Sequence, residues 1–385
     1  MKDKIKVLHL TYDFATENKG KSTVVINDLV KSSAKYLENY VISLKRTITY
    51  KSSDLFNIEN RVIHLHHFGL PYGIFLKTIS FLQSKKILKI LKIHPSLSEI
   101  DVIHAHKLTF EGFIGYKLSK IINKKIIISI RQTDFLVLKY RPDLIPFAKR
   151  ILKDAALIFY IAPYMISKLQ KILGEKFINS IIHKFHFLPN PIDFHTFENS
   201  RLKKENYYLT ILWLNYRSVK RKNLIGLLKA IKFLNNKSIR LKIIGKGNYE
   251  KKVVSWIKRL GLEEQVELLG FKENYLIKDY LAKSKGLLLP SFSETFGVVY
   301  AESLLCGVPI LYSKNTGFDG IFNNVGFAVN PHSIISIAEG IKYIETNNDY
   351  LHKEISELRD KGSFEIFRKE NVALKYYNLI TEYVK

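Results

Sequence analysis

Two carboxylates stand out by their neighbours. Glu294 and Glu302 lie in PSFSETFGVVYAESLLCGVPILYS, residues 290–313, with seven residues between them. A helix opening in TFGVVYA just after the apolar run KGLLLP would leave Glu294 in the loop at the carboxyl end of a strand. Glu302 would then lie farther along that helix, and both could address one ligand in the crevice where open α/β sheets bind. The first-turn N–H groups of Phe296, Gly297 and Val298 would be free to meet an anion. A bare Glu-x7-Glu is common, and two helical glutamates are usually solvated. The Pro-Ser before, Phe-Gly between and Cys-Gly-Val-Pro after give this pair its weight.

Other segments come close to known chemistry and miss. In YDFATENKGKSTVV, residues 12–25, Gly20, Lys21 and Ser22 match the end of the nucleotide-triphosphatase loop, but Ala15 stands where the first glycine is required. IGKGNYE fails as a dinucleotide fingerprint because Glu250 occupies the third-glycine position. His104 and His106 in VIHAHK alternate along a predicted strand, which sends them to opposite faces and makes them a poor metal pair. Arg217 and Lys222 stand in RSVKRKN, which by itself reads as a solvated basic loop.

The elements that must position these residues alternate along the chain. Apolar runs such as IKVLHLT, RVIHLHHF, DVIHAH, KKIIISI and AALIFYIA are separated by helix-period segments, and the rhythm restarts with LTILWLN, IRLKIIG, QVELLGF, KGLLLP and VPILYS. That alternation predicts parallel sheets wrapped by helices, in two Rossmann-like halves. The break is expected near LPNPIDFHTFENSRLKKENYY, where Pro189 and Pro191 stiffen the chain and a polar stretch follows. The predicted domains are residues 1–193 and 194–385, with the last helix, about 366–385, free to return to the first.

Length and 46% apolar composition suit a two-domain globular enzyme. The 61 Lys+Arg against 35 Asp+Glu give +26, which favours a polyanionic partner: nucleic acid, an anionic membrane face or phosphorylated substrates. Cys306 is the sole cysteine, so no intramolecular disulfide forms, and a reducing, cytoplasmic setting is expected. No run suits a signal peptide or a membrane span, which leaves a soluble or peripheral protein. Residues 72–93, YGIFLKTISFLQSKKILKILKI, carry Lys77, Lys85, Lys86, Lys89 and Lys92 and no acid. They read either as a core-packed helix with a solvated basic face or as an amphipathic helix resting on the inner face of the cell membrane.

The residues around Glu294 and Glu302 resemble the signature of family 4 glycosyltransferases, retaining enzymes of GT-B fold that use nucleotide sugars. LWLNYRSVKRKNLIGLLKAI, IGKGNYEKKV, VELLGF, DVIHAH and LPNPIDFHTF resemble further family segments, in the expected order. The resemblance implies two Rossmann-like domains facing each other across a cleft. It implies that Glu302 binds the nucleotide ribose, that Glu294 lies by the donor sugar, and that Arg217 and Lys222 reach the donor diphosphate. By the same resemblance Gly20 marks a phosphate-side loop, not an ATPase loop. Phe271 is a candidate wall of the base pocket, and His106 and Asp134 are candidates on the acceptor side. One departure matters: after KKIIISI the family commonly has His-Gly-Thr-Asp, whose histidine approaches the donor sugar, and here Arg131, Gln132, Thr133 and Asp134 follow. Arginine is permanently charged and forks its donors, so it cannot copy a neutral imidazole. With two cations on the diphosphate and no Asp-x-Asp beside an apolar strand, neither a metal nor another cofactor is expected. The implied function is a retaining sugar transferase building a bacterial surface glycan on a lipid-linked or other glycan acceptor. A GT-B nucleotide-sugar epimerase and a non-enzymatic nucleic-acid or membrane binder are the alternatives.

Overall fold

The computed structural model describes residues 4–14, 25–47, 61–68, 75–93, 99–194 and 204–384. The chain divides into two compact units, residues 1–191 with 369–385, and residues 192–368. Gly20, Lys21 and Ser22 lie outside the described residues.

The first unit is built on seven strands: β1 (Lys6–Thr11), β2 (Glu38–Thr47), β3 (Val62–Phe68), β4 (Val102–Ala105), β5 (Lys125–Ile130), β6 (Leu157–Tyr160) and β7 (Phe185–Phe187). Their order is β3-β2-β1-β4-β5-β6-β7, all paired in parallel. Central strands covered on both faces need unbroken apolar runs, and Val102 to Ala105 of β4 are buried throughout. The order reverses direction between β1 and β4, the kind of switch point outside which ligands bind. The final helix, Lys369–Val384, belongs to this unit: Val372, Tyr376 and Ile380 are buried in one core with Val7, Val102, Ile127 and Phe159.

The second unit holds β8 (Tyr208–Ile211), β9 (Leu241–Ile244), β10 (Val266–Gly270), β11 (Gly286–Leu288), β12 (Ile310–Ser313) and β13 (Gly326–Val329). The order is β10-β9-β8-β11-β12-β13, again parallel, with its switch point between β8 and β11. Leu227, Leu228, Ile231, Leu241, Ile243, Leu288 and Leu311 lie in its core. The loops after β8 and β11 therefore flank the switch point, and these loops carry Arg217, Lys222 and Glu294.

Candidate functional site

In the second unit the loop after β8 runs into the short helix Tyr216–Arg221, capped by Asn215, whose side-chain oxygen accepts the Ser218 N–H at 2.9 Å. Arg217 is exposed on this helix, and Lys222 ends it. The Phe292 N–H donates to the Arg221 carbonyl at 2.8 Å, which ties the loop after β11 to the loop after β8. That tie brings Lys222 Nζ onto Glu294 Oε2 in a close ion pair, each side chain only 12% exposed. The loop after β12 holds Glu294 from the other side. The Glu294 N–H donates to Thr316 Oγ1 at 2.8 Å, while the Thr316 hydroxyl at 2.9 Å and the Gly317 N–H at 3.0 Å both donate to the Glu294 carbonyl. Nothing in the sequence reading singled out Thr316 or Gly317, because their role is a backbone clamp formed across 22 residues of chain.

The helix carrying Glu302 spans Val298–Leu305 and starts later than expected. Gly297 is its N-cap at φ 81°, a left-handed conformation in which a Cβ would come within 2.4 Å of the Tyr300 ring. Phe296 thus lies outside the first turn and is buried against Phe318 and Phe367, with ring centroids 5.8 and 5.7 Å away. Its side chain belongs to the core beneath the site. Glu302 is half-buried, and desolvation by itself raises its carboxyl to about 7.

Phe271 is 42% exposed just after β10, and Trp213, just after β8, is 54% exposed. Their rings are 6.3 Å apart and 23° from parallel, and Lys246 Nζ, from the loop after β9, lies 4.2 Å from the Phe271 centroid. Gly245 and Gly247 flank this lysine where a Cβ would meet the Leu212 and Leu214 carbonyls at 1.8 and 2.2 Å. The sequence reading missed Trp213. The signal available was a tryptophan directly after a strand that already fills the core.

The first unit gathers polar side chains at the carboxyl ends of β1, β4 and β5. Asp134 is fully buried, and its Oδ1 accepts the Thr109 N–H at 2.8 Å and the Thr109 hydroxyl at 2.6 Å. Its Oδ2 accepts the Leu108 and Arg131 N–H groups at 3.2 and 2.8 Å. Every lone pair of the carboxylate is occupied, so Asp134 fixes loops and turns none of its oxygens to a ligand. The half-buried Arg131 donates through its guanidinium to Asn190 Oδ1 at 3.0 Å, and Asp13, Asp134 and Glu111 lie within electrostatic reach. Lys107 Nζ bridges Asp13 at 2.7 Å and Glu111 at 3.6 Å. Glu111 is buried, which raises its carboxyl to about 7 despite Lys107, and among the described residues its Oε2 has no hydrogen-bond partner.

The histidines correct the strand-alternation argument. Residues two apart along a strand point to the same face, not to opposite ones, and the ring centroids of His104 and His106 are 4.1 Å apart. His9 of β1, paired in register with His104, completes a buried cluster in which one ring nitrogen from each histidine lies within 4.8 Å of the others. Such a set is close enough to share one metal ion. The Asn39 amide fixes the tautomers: its N–H groups donate to the Val30 carbonyl and Ser33 Oγ, both at 2.9 Å. Asn39 Oδ1 therefore accepts from His9 Nε2 at 3.1 Å, and His9 Nδ1 accepts from His106 Nε2 at 3.0 Å. His104 is engaged at both nitrogens, by Tyr376 OH at 2.7 Å and Ser129 Oγ at 2.8 Å. Burial lowers the pKa of all three, His9 to about 4, and Arg131 adds to the lowering at His104 and His106. A dication would have to break these bonds beside Arg131 and Lys107 with no carboxylate among the ligands. The cluster fits a relay of neutral imidazoles better than a metal centre. His106 itself is 1% exposed, and among the described residues its Nδ1 has no hydrogen-bond partner.

Comparison with known proteins agrees with this geometry. Residues 195–361 match the family model described as Glycosyl transferases group 1. The chain is 23% identical over 288 residues to N-acetyl-alpha-D-glucosaminyl L-malate synthase of Bacillus anthracis, covering 72% of this chain and 73% of the relative. Among solved structures it is similar to sucrose-phosphate synthase from Thermosynechococcus elongatus, with TM-score 0.73, 16% identity and coverage of 98% and 99%. It is likewise similar to the Anabaena protein HepE solved with UDP and glucose, with TM-score 0.66, 16% identity and the same coverage. The fold is that of GT-B glycosyltransferases, with two parallel-sheet Rossmann-like domains. These comparisons support a glycosyltransferase and do not favour the epimerase or binder readings.

Proposed function

We propose that the protein is a retaining, metal-independent glycosyltransferase of the family 4 type. It would transfer a sugar from a nucleotide-diphosphate sugar to a glycan or lipid-linked glycan acceptor in bacterial surface polysaccharide synthesis. The observation that carries this reading is Glu294, clamped by Thr316 and Gly317 and paired with Lys222 at the switch point of the second sheet. The two side chains neutralise each other. A donor diphosphate competes for Lys222 and is joined by Arg217, which frees the Glu294 carboxylate to orient the sugar and offset its positive charge as the anomeric bond to the phosphate breaks. Glu302 holds the ribose, and the Trp213–Phe271 pair stacks on the base. Retention follows when the acceptor attacks the face that the leaving group vacates and a donor phosphate oxygen takes the acceptor proton. Within the first unit, Arg131 is proposed as a catalytic cation and His106 as an acceptor-side residue.

HepE was solved with UDP and glucose, so uridine donors come first in a thermal-shift screen, where binding stabilises as RT ln(1 + [L]/Kd). Glu302→Ala should weaken the donor, since losing a charged hydrogen bond costs on the order of 1.5–3 kcal/mol. Glu294→Ala should chiefly lower kcat, with a smaller effect on nucleotide affinity. NMR of the product's anomeric proton reports retention, and turnover in EDTA reports metal independence. Unchanged kinetics in both variants would remove the donor-site assignment.

A further inference from the structure

The helix Leu76–Ile93 turns one face into the first unit and leaves the other uncovered. Leu76, Ser80, Ser84, Ile87, Ile90 and Leu91 are buried, at spacings of three and four that mark a single helical face, packed on the helix Glu111–Ile122. On the outer face Phe81, Leu82 and Ile93 are 43, 57 and 71% exposed, and Phe75, just before the helix, is 67% exposed. Lys77, Lys85, Lys89 and Lys92 are exposed among them, and the helix contains no Asp or Glu. Lys85 Nζ and Lys117 Nζ lie 4.4 and 5.1 Å from the Phe81 ring centroid, so the aromatic face is flanked by cations. Asp143, on which the Lys77 charge acts, is already held by Arg141 at 2.8 Å through both oxygens.

A solvated face accounts for the lysines and leaves the apolar side chains unexplained, because several large apolar groups interleaved on one uncovered face mark an interaction site. A nucleic acid would use the lysines but has no use for Leu82 or Ile93. A lipid surface uses both. We propose that this face docks on an anionic membrane surface. Phe75, Phe81 and Leu82 seat at the headgroup–acyl boundary, and Lys85, Lys89 and Lys92 rest on the headgroups along the carboxyl-terminal half of the helix. Among the described residues no helix is long and apolar enough to cross a membrane, so docking is peripheral.

Co-sedimentation of the full chain with vesicles tests this, comparing phosphatidylcholine alone with phosphatidylcholine containing about a third phosphatidylglycerol. Binding should require the anionic lipid and fall at high salt. The triple variant Lys85→Gln, Lys89→Gln, Lys92→Gln should bind about a hundredfold more weakly, at about fivefold per lysine. Phe81→Ser with Leu82→Ser should also weaken binding. A triple variant of equal charge change in the second unit, Lys251→Gln, Lys252→Gln, Lys258→Gln, should bind like the parent. All these side chains are exposed, and unchanged melting temperatures confirm that the variants fold. Loss in the second-unit control equal to that in the helix triple would overturn the proposal in favour of general charge. So would equal binding to neutral vesicles, no binding at low salt, or binding of duplex DNA alone through the same lysines. Donor binding measured in the same variants keeps this test separate from the glycosyltransferase reading, which stands or falls on Glu302 and Glu294.

Discussion

Among the described residues no cation offsets the burial of Glu302, which sets its behaviour with pH. Its folded pKa, about 7, lies above the ordinary 4.5. Between those values the folded state holds a proton that the unfolded state has lost. The stability this gives is therefore full below about 4.5 and is lost as pH rises through about 7. Glu302→Gln keeps the neutral form at every pH. It should raise stability at pH 8 by on the order of 1–3 kcal/mol and leave it unchanged at pH 4, read by denaturant melts. Donor affinity should move the other way in the parent, rising from pH 6 to 8 as the carboxylate forms, and stay weak and flat in the variant. A stability difference that persists at pH 4 would show that Glu302 acts through packing. The sequence made Glu302 and Glu294 visible through their neighbours, but the ion pair with Lys222 was not legible. It depends on the hydrogen bond from Phe292 to Arg221, which joins segments about 70 residues apart.

At the scale of elements, the parallel strands were legible because burial on both faces demands continuous apolar runs, as in KVLHLT and KIIISI. What escaped were the strand ends and the loops beyond them, where the chemistry lies. His104 and His106 share a face because side chains two apart along a strand point the same way, and the helix carrying Glu302 starts late because Gly297 takes a left-handed turn. Gly317 makes the same point in a testable form. At φ 58° its missing Cβ would lie 2.9 Å from Glu294 Cβ, an atom that cannot swing aside. Gly317→Ala should displace Glu294 and lower kcat about tenfold or more, the factor that 1.4 kcal/mol represents, while donor affinity changes less. Full kcat in this variant would mean that the clamp from the β12 loop does not position Glu294.

The whole molecule is discontinuous in sequence: the first unit is completed by residues 369–385, reached only after the chain has built the second. The last helix supplies Val372, Tyr376 and Ile380 to the core of the first unit, each at most 1% exposed. Tyr376 OH meets His104 at 2.7 Å, and Tyr377 stacks on Tyr36 with centroids 5.1 Å apart. Burying such a side chain is worth about 1.5–3 kcal/mol, so three of them approach the whole stability of an ordinary domain, about 5–15 kcal/mol. Removing the helix also leaves one nitrogen of His104 buried without its partner, a further cost of about 1–3 kcal/mol. Among the described residues, the core cluster of the second unit runs from residue 208 to 351 and its aromatic group of Phe296, Phe318 and Phe367 ends before this helix. A chain ending at Arg368 should therefore keep donor binding in its second unit while its first unit melts far earlier, seen as two separated transitions in calorimetry. A peptide of residues 369–385 added in excess should move the early transition upward in proportion to the logarithm of its concentration. A truncated chain that melts like the parent would mean that the core around His9 and His104 closes without Tyr376.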